Sequence, residues 1–386
     1  MHRYTFFTNF LNHHQLPFCL EMSRILGDGF RFVATEPIHQ ERFAMGYAEM
    51  NKAYPFVIRS YEDTKAFREA LLLGDESDVV IIGSAPELFV KNRIAENKLT
   101  FRYSERIFKK GRWRILDPRM IKNLFLHHTR FHNKRLYMLC ASAYTARDFA
   151  MAGAYWNKCY KWGYFPEAKE YDIAALLERK KKGKHLSILW AGRFLEWKHP
   201  EKALYVASYL KDNGVDFMLK IIGGGEMDSY MKSMVSSLNL GDCVEILGFL
   251  PPNQVRKEME NAEIYLFTSN YNEGWGAVLN EAMNSGCAVV TSHAIGAVPF
   301  LVKDGENGVV YQNNNINDLC SKVLALARNQ ELRIHLGNNA YITIYEQWNA
   351  KVAVKRLLKL ADCLLSDFDA VEFYANGPCS QATTQF

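Results

Sequence analysis

Asn272-Glu273-Gly274-Trp275-Gly276-Ala277-Val278-Leu279-Asn280-Glu281-Ala282-Met283-Asn284-Ser285-Gly286 is the stretch from which the rest of the chain can be read. It follows Ile264-Tyr265-Leu266-Phe267, a β-branched and aromatic run with the pattern of a buried strand. Gly274 and Gly276 flank Trp275 and loosen the backbone. Helical spacing returns from Ala277 to Asn284, with Val278, Leu279, Ala282 and Met283 apolar, and Gly286 is placed to stop the helix. Strand, glycine turn and helix start together favour an anion, because the first amides of a helix lack internal partners and its dipole is positive there. Glu273 stands at the mouth of that site and Glu281 lies about two helical turns deeper. Carboxylates do not bind phosphate, so this pair must face hydroxyl donors, such as those of a sugar and a ribose.

The chain has 386 residues, 48% of them apolar, enough for two ordinary cores and long for one. A formal net charge of +5 excludes a polycation. No apolar run reaches the length of about 18 residues needed to span a bilayer. Near the start, Asn9, Asn12, His13, His14 and Gln15 interrupt any signal-peptide core. The eight cysteines are scattered with no CxxC spacing, the usage of a reduced cytoplasmic chain.

In the first half, Tyr4 to Phe10, Arg31 to Ala34, Asp78 to Ile82 and Leu136 to Ala143 read as strands. Helices are expected from Pro17 to about Leu26 and from Phe67 to Leu73. Between Glu167 and Lys184 the pattern dissolves into the charge run Arg179-Lys180-Lys181-Lys182-Gly183-Lys184, which reads as a solvated linker. The second half alternates strands at Ser187–Trp190, Met218–Ile222, Val244–Leu247, Ile264–Phe267 and Ala288–Thr291 with helices, the order of a parallel sheet. The tail from Asp367, rich in Ser, Thr and Gln, reads as poorly ordered.

Two further turns carry chemistry. Gly192-Arg193, with Lys198 close behind, follows the strand Ser187–Trp190 and projects a guanidinium fork and a point charge past its carboxyl end, a pair able to neutralise a diphosphate. Gly223-Gly224-Gly225 follows the next strand but fails as a dinucleotide fingerprint, because Asp228 stands at the third glycine position.

Glu273, seven residues and then Glu281, in an EGWG…EAMNSG frame, resembles the donor-sugar motif of retaining GT-B glycosyltransferases of family 4. The resemblance implies two Rossmann-like doubly wound domains facing a central cleft. Residues 1–170 would form an N-terminal acceptor domain completed by a helix at about 350–366, with a linker at 171–185, a donor domain at 186–349 and a tail at 367–386. It carries catalytic roles onto Arg193 and Lys198, gripping the pyrophosphate, and onto Glu273, holding the sugar hydroxyls. Donor binding would fall to Gly192, Gly223, Gly225, Gly248, Phe249, Leu250, Gly274, Trp275, Gly276, Ala277, Val278 and Glu281, the last on the ribose.

No metal and no cofactor are implied, the nucleotide sugar being a substrate. A UDP-sugar is favoured over a GDP-sugar, although backbone readout of the base leaves the nucleotide open. Asp367-Phe368-Asp369 is read as a chance DxD. The family's acceptor-side histidine has no clear counterpart, and His13, His14 and Glu105 compete for that place. Gly296-Ala297-Val298-Pro299-Phe300 also departs from the family's usual GG-x-P-E.

From Arg102 to Arg135 eleven Lys and Arg residues face only Glu105 and Asp117, with Phe108, Trp113, Phe125 and Phe131 interleaved. Such a segment suits an anionic membrane surface, and single-stranded nucleic acid would use the same ingredients. The expectation is a cytoplasmic enzyme, peripheral on the inner face of the plasma membrane. It would transfer a sugar to a saccharide or lipid-linked acceptor in bacterial surface-polysaccharide assembly, with no nucleic acid partner. A nucleotide-sugar epimerase or hydrolase on the same fold, or a non-catalytic nucleotide-sugar-binding partner, is the alternative.

Overall fold

All five residues of Tyr4–Thr8 are buried, a pattern that only a sheet covered on both faces can hold. The computed structural model describes residues 2–38, 48–366 and 374–385. The chain divides into two units, Met1–Glu167 with Trp348–Phe386, and Ala168–Gln347.

The first unit is built on a seven-stranded sheet of β1 (Tyr4–Thr8), β2 (Phe30–Ala34), β3 (Val57–Arg59), β4 (Val79–Ile82), β5 (Thr100–Ser104), β6 (Leu136–Cys140) and β7 (Cys159–Lys161), in the order β3-β2-β1-β4-β5-β6-β7. Every pairing between them is parallel. The strand order reverses direction between β1 and β4, and a ligand crevice is expected beyond their carboxyl ends. Helix Ala350–Leu365 packs on helix Leu16–Leu26 within this unit.

The second unit carries a six-stranded parallel sheet of β8 (Leu186–Ala191), β9 (Phe217–Ile222), β10 (Val244–Gly248), β11 (Ile264–Phe267), β12 (Ala288–Ser292) and β13 (Val309–Tyr311), ordered β10-β9-β8-β11-β12-β13. Here the reversal falls between β8 and β11. Its core joins Ile188, Trp190, Leu219, Ile221, Leu266 and Val290 to helix residues such as Leu204, Leu210 and Leu319.

Three expectations change. The charge run is not a free linker: Ile173–Lys181 is a helix, capped by Asp172 through the Ala175 amide, with Leu176 and Leu177 buried. Lys180 is buried too, donating to the carbonyls of Met259 and Ala262 at 3.1 and 2.6 Å, so its charge binds the fold together instead of facing solvent. In the tail, Asp367-Phe368-Asp369 lies outside the described residues, but 374–385 pack against β7: Gln381 bridges Tyr160, and Cys379, Ser380 and Ala382 are buried. Polar composition concealed an edge contact made largely by backbone groups.

Strands β3, β5, β7 and β13 were also not evident. Three are only three residues long, and β5 carries Arg102, whose guanidinium is buried because Glu87 receives both of its forks.

Candidate active site

In the second unit, the carboxyl ends of β8, β9 and β10 all run into glycine, and the three turns are bonded to one another through backbone. The Gly192 amide donates to Ile222 O at 2.9 Å, Gly223 to Gly248 O at 2.8 Å, and Phe194 to Gly224 O at 2.8 Å. Gly223 has φ +131°, and a Cβ there would lie 1.8 Å from Gly192 O, so no other residue allows this approach. The exposed ring of Phe249 lies against the same turn; a Cβ on Gly224 would come within 2.9 Å of it. Gly192, Gly223, Gly225, Gly248 and Phe249 therefore form one rim, with Leu250 half-buried beside it.

Across the reversal point, the loop after β11 meets the loop after β8. Lys198 Nζ donates to Glu273 Oε2 at 2.7 Å, and Ser269 Oγ donates to the same oxygen at 3.0 Å. The two loops are tied through backbone. Asn270 N donates to Trp197 O at 3.0 Å, and Thr268 Oγ1 donates to Lys198 O and His199 O at 2.8 and 2.9 Å. Trp190 Nε1 fixes that hydroxyl from the core side at 2.8 Å. His199 takes a left-handed conformation, φ +51°, and its ring is held by Glu201 and Asn270. Lys198 also lies 4.6 Å from the centre of the Trp197 ring. The result is a neutral Lys–Glu pair pinned on both sides, which positions a cation and a carboxylate with little rotamer freedom left to lose. Arg193 stands exposed nearby in sequence and makes no side-chain hydrogen bond or ion pair among the described residues.

The structure thus brings Lys198 and Glu273 together and leaves Glu281 half-buried in helix Val278–Asn284, with Ala277 as its N-cap residue. Gly274 is buried and Gly276 adopts φ +89°, where a Cβ would meet the Phe267 ring at 2.4 Å. Trp275 departs from expectation. It is fully buried, its indole N–H donating to Asn280 Oδ1 at 2.9 Å, so it supports the loop from beneath and offers no face to a ligand. Ser269, Asn270 and His199 were missed, although Thr268-Ser269-Asn270 directly after a buried strand was a legible polar signal.

The first unit has a polar cavity of about 520 Å³ at its own reversal point. Thr8, Gly83 and Ser104 line it at the ends of β1, β4 and β5, with Glu87, Arg102, Glu105 and Lys109 on the wall. Each charge there is answered: Arg102 holds Glu87 through both forks, and Lys109 and Tyr164 both donate to Glu105. Of the acceptor-side candidates, Glu105 lines this cavity; His13 and His14 do not, and their rings lie tilted against each other with centroids 3.7 Å apart. The histidine on the wall is His128, whose Nδ1 shares a hydrogen with Tyr155 Oη at 2.7 Å.

Burial first, then the Arg102 charge, pushes the His128 imidazole down to about 2, so it is neutral throughout the useful pH range. An unfolded histidine titrates near 6.5, so below that pH the unfolded chain takes up a proton that the folded unit refuses. The His128 contribution to stability is complete above about pH 6.5 and falls by about 1.4 kcal/mol per pH unit beneath it. Thermal melts at neutral and mildly acid pH are expected to show this loss, and His128→Gln is expected to remove that share of it. An equal acid loss in His128→Gln would assign it to other groups.

Residues 175–343 match the family model of glycosyl transferases group 1. Within the curated relatives, the amylovoran biosynthesis glycosyltransferase AmsK of Erwinia amylovora is 27% identical over 46% of this chain and 45% of its own length. A poly(ribitol-phosphate) alpha-N-acetylglucosaminyltransferase of Staphylococcus aureus is 31% identical over 39% of this chain and 29% of its own. The chain therefore spans less than half the length of these relatives. Among solved structures, Anabaena HepE in complex with UDP superposes with a TM-score of 0.68 at 16% identity, covering 93% of this chain and 99% of HepE. That likeness is one of fold: two parallel-sheet Rossmann-like domains of the GT-B glycosyltransferase class. Among the described residues, no group of three or more His, Cys, Asp or Glu side chains is arranged to hold a metal ion.

Proposed function

We propose that this protein is a retaining, family 4 glycosyltransferase. It would move a hexose-type sugar from a nucleotide-diphosphate donor, a UDP-sugar in the first instance, to a saccharide or lipid-linked acceptor in bacterial surface-polysaccharide assembly. The observation that carries the reading is the Lys198–Glu273 pair, 2.7 Å apart at the reversal point of the second sheet beside a bonded glycine rim. A ligand with a negatively charged end and a hydroxyl-bearing end fits such a pair, and a sugar diphosphate has both.

Breaking the bond from the anomeric carbon to the diphosphate builds negative charge on the departing oxygen. Lys198 and Arg193 would neutralise it, the role a metal ion plays elsewhere, so the transfer is read as metal-independent. Glu273 would accept hydrogen bonds from sugar hydroxyls and Glu281 from the ribose. Attack by the acceptor on the face the diphosphate leaves would retain configuration, a route that needs no strong enzymic base because the departing phosphate can take the acceptor's proton. The names of the relatives support the setting: one belongs to amylovoran biosynthesis, another transfers N-acetylglucosamine to poly(ribitol-phosphate). A lipid-linked acceptor would further require work at an anionic membrane surface, a place in the cell to which the basic segment 102–135 is suited.

Thermal-shift titration with UDP-, GDP- and ADP-sugars tests the donor. One nucleotide sugar is expected to stabilise the wild type, and Glu281→Ala to weaken that binding about tenfold, the scale of one hydrogen bond to a charged group. If none of them binds, the chain is better read as a non-catalytic partner.

A further inference from the structure

The basic segment expected to meet a membrane is not uniformly available. Arg102 and Arg106 are buried, engaged by Glu87 and Asp148, and Phe108 is only 1% exposed. Lys109 is bonded to Glu105, Lys134 donates to Ala95 O, and Arg135 donates to Leu364 O. What remains outside is a shorter piece: the 3-10 turn Arg112–Leu116 followed by helix Pro118–His127, with Asp117 capping the join through the Arg119 amide.

On this piece the apolar residues point outward. Trp113 is 68% exposed, Leu116 77%, Ile121 49% and Phe125 54%, while Leu124 alone anchors the helix inward. Ile121 and Phe125 lie one turn apart on a single face. Exposed Lys110, Arg112, Arg119, Lys122 and Arg130 alternate with them along the chain or flank them, and make no side-chain ion pair among the described residues. Four outward apolar side chains among exposed cations outside any ion pair would be costly in water and suit one surface well. Apolar groups enter the acyl boundary while the cations meet lipid phosphates.

The piece is also continuous with the cavity of the first unit. Glu105, Arg106 and Lys109, which lead into it, line that cavity, as does His128, which directly follows it. The neighbouring His127 lies 3.9 Å from Glu87 on the same wall. Among the described residues no helix is long and apolar enough to cross a membrane, so contact would be from one side.

We infer that Arg112–His127 is an interfacial wedge. It docks the first unit on an anionic phospholipid bilayer by inserting Trp113, Leu116, Ile121 and Phe125, with the cavity mouth held at the lipid headgroups. The docking stands on the first unit alone. Only the suggestion that the cavity takes the saccharide end of a lipid-anchored molecule rests on the transferase reading.

The test is flotation of the full chain with vesicles, without donor or acceptor, so that its failure leaves the transferase reading untouched. Vesicles of three parts phosphatidylcholine to one part phosphatidylglycerol are expected to carry at least about tenfold more protein than phosphatidylcholine alone, with binding falling as salt rises. A double variant, Leu116→Ser with Phe125→Ser, is expected to lose about tenfold or more while melting like the wild type, because both side chains already face water. Lipid brominated in the acyl chain is expected to quench part of the tryptophan emission, a part absent in Trp113→Phe. No enrichment on anionic vesicles, undiminished binding by the double variant, or tighter binding to a single-stranded oligonucleotide would each overturn the inference.

Discussion

Lys198→Ala is expected to lower sugar transfer by about 10²- to 10³-fold, the usual cost of removing one preorganised group from a developing oxyanion. The ammonium is held 2.7 Å from Glu273 and over the Trp197 ring, so in the folded protein it is already placed. Removing it does two things. It takes away the cation assigned to the departing diphosphate, and it leaves the Glu273 carboxylate, 11% exposed, with Ser269 Oγ as its remaining side-chain donor. The second effect predicts that Glu273→Gln, which keeps the shape and removes the charge, will partly restore donor binding in the Lys198→Ala background without restoring turnover. Steady-state rates over a range of donor concentration, with melting temperature as the control for folding, check both. If Lys198→Ala kept more than about a third of the wild-type kcat/KM, Lys198 would not lie near the departing oxygen, and the assignment would move to Arg193.

Trp275→Ala is expected to cost the second unit about 3–5 kcal/mol, the range for deleting a large aromatic from a packed core. The side chain is fully buried, bonded to Asn280, and its ring lies 6.3 Å from that of Phe300. Its backbone carbonyl also accepts from Ala297, so the loop bearing Glu273 loses its floor when the indole goes. A unit of this size should melt lower by about 6–20 °C. Trp275→Phe should recover most of the packing but leave Asn280 Oδ1 without that donor. A Trp275→Ala protein that melts normally yet no longer binds nucleotide sugar would put the indole in the ligand site and contradict the burial described above.

Five of the second unit's six strands were legible because they are mostly apolar runs that alternate with helices, whereas β13 has only three residues. The unit's motifs sit at strand ends, where glycine is required by contact: Gly223 against Gly192 O, and Gly276 against Phe267. Residue type and spacing are enough to recognise such positions. The first unit was harder. Strands β3 and β7 have three residues each, too few for a period to show, and β5 hides a buried arginine that only its pairing with Glu87 makes tolerable. His128 carried no local signal, since its place on the cavity wall follows from the packing of Tyr155, Phe149 and Arg102, none of them near it in sequence.

The sequence by itself determined the alternation of strands and helices, the glycine turns, and the residue types of the donor-side pair, because backbone conformation and periodic burial are local or nearly local demands. Only the tertiary structure decided which charges are spent. Lys180, Arg102 and Arg106 look in the sequence like Arg119 and Lys122, yet the first three are buried against partners and the last two are exposed. The same holds for the indoles: Trp275 is core and Trp113 is surface. A charge or an aromatic ring is apolar or polar surface in waiting, and what it meets is set by chain segments tens of residues away.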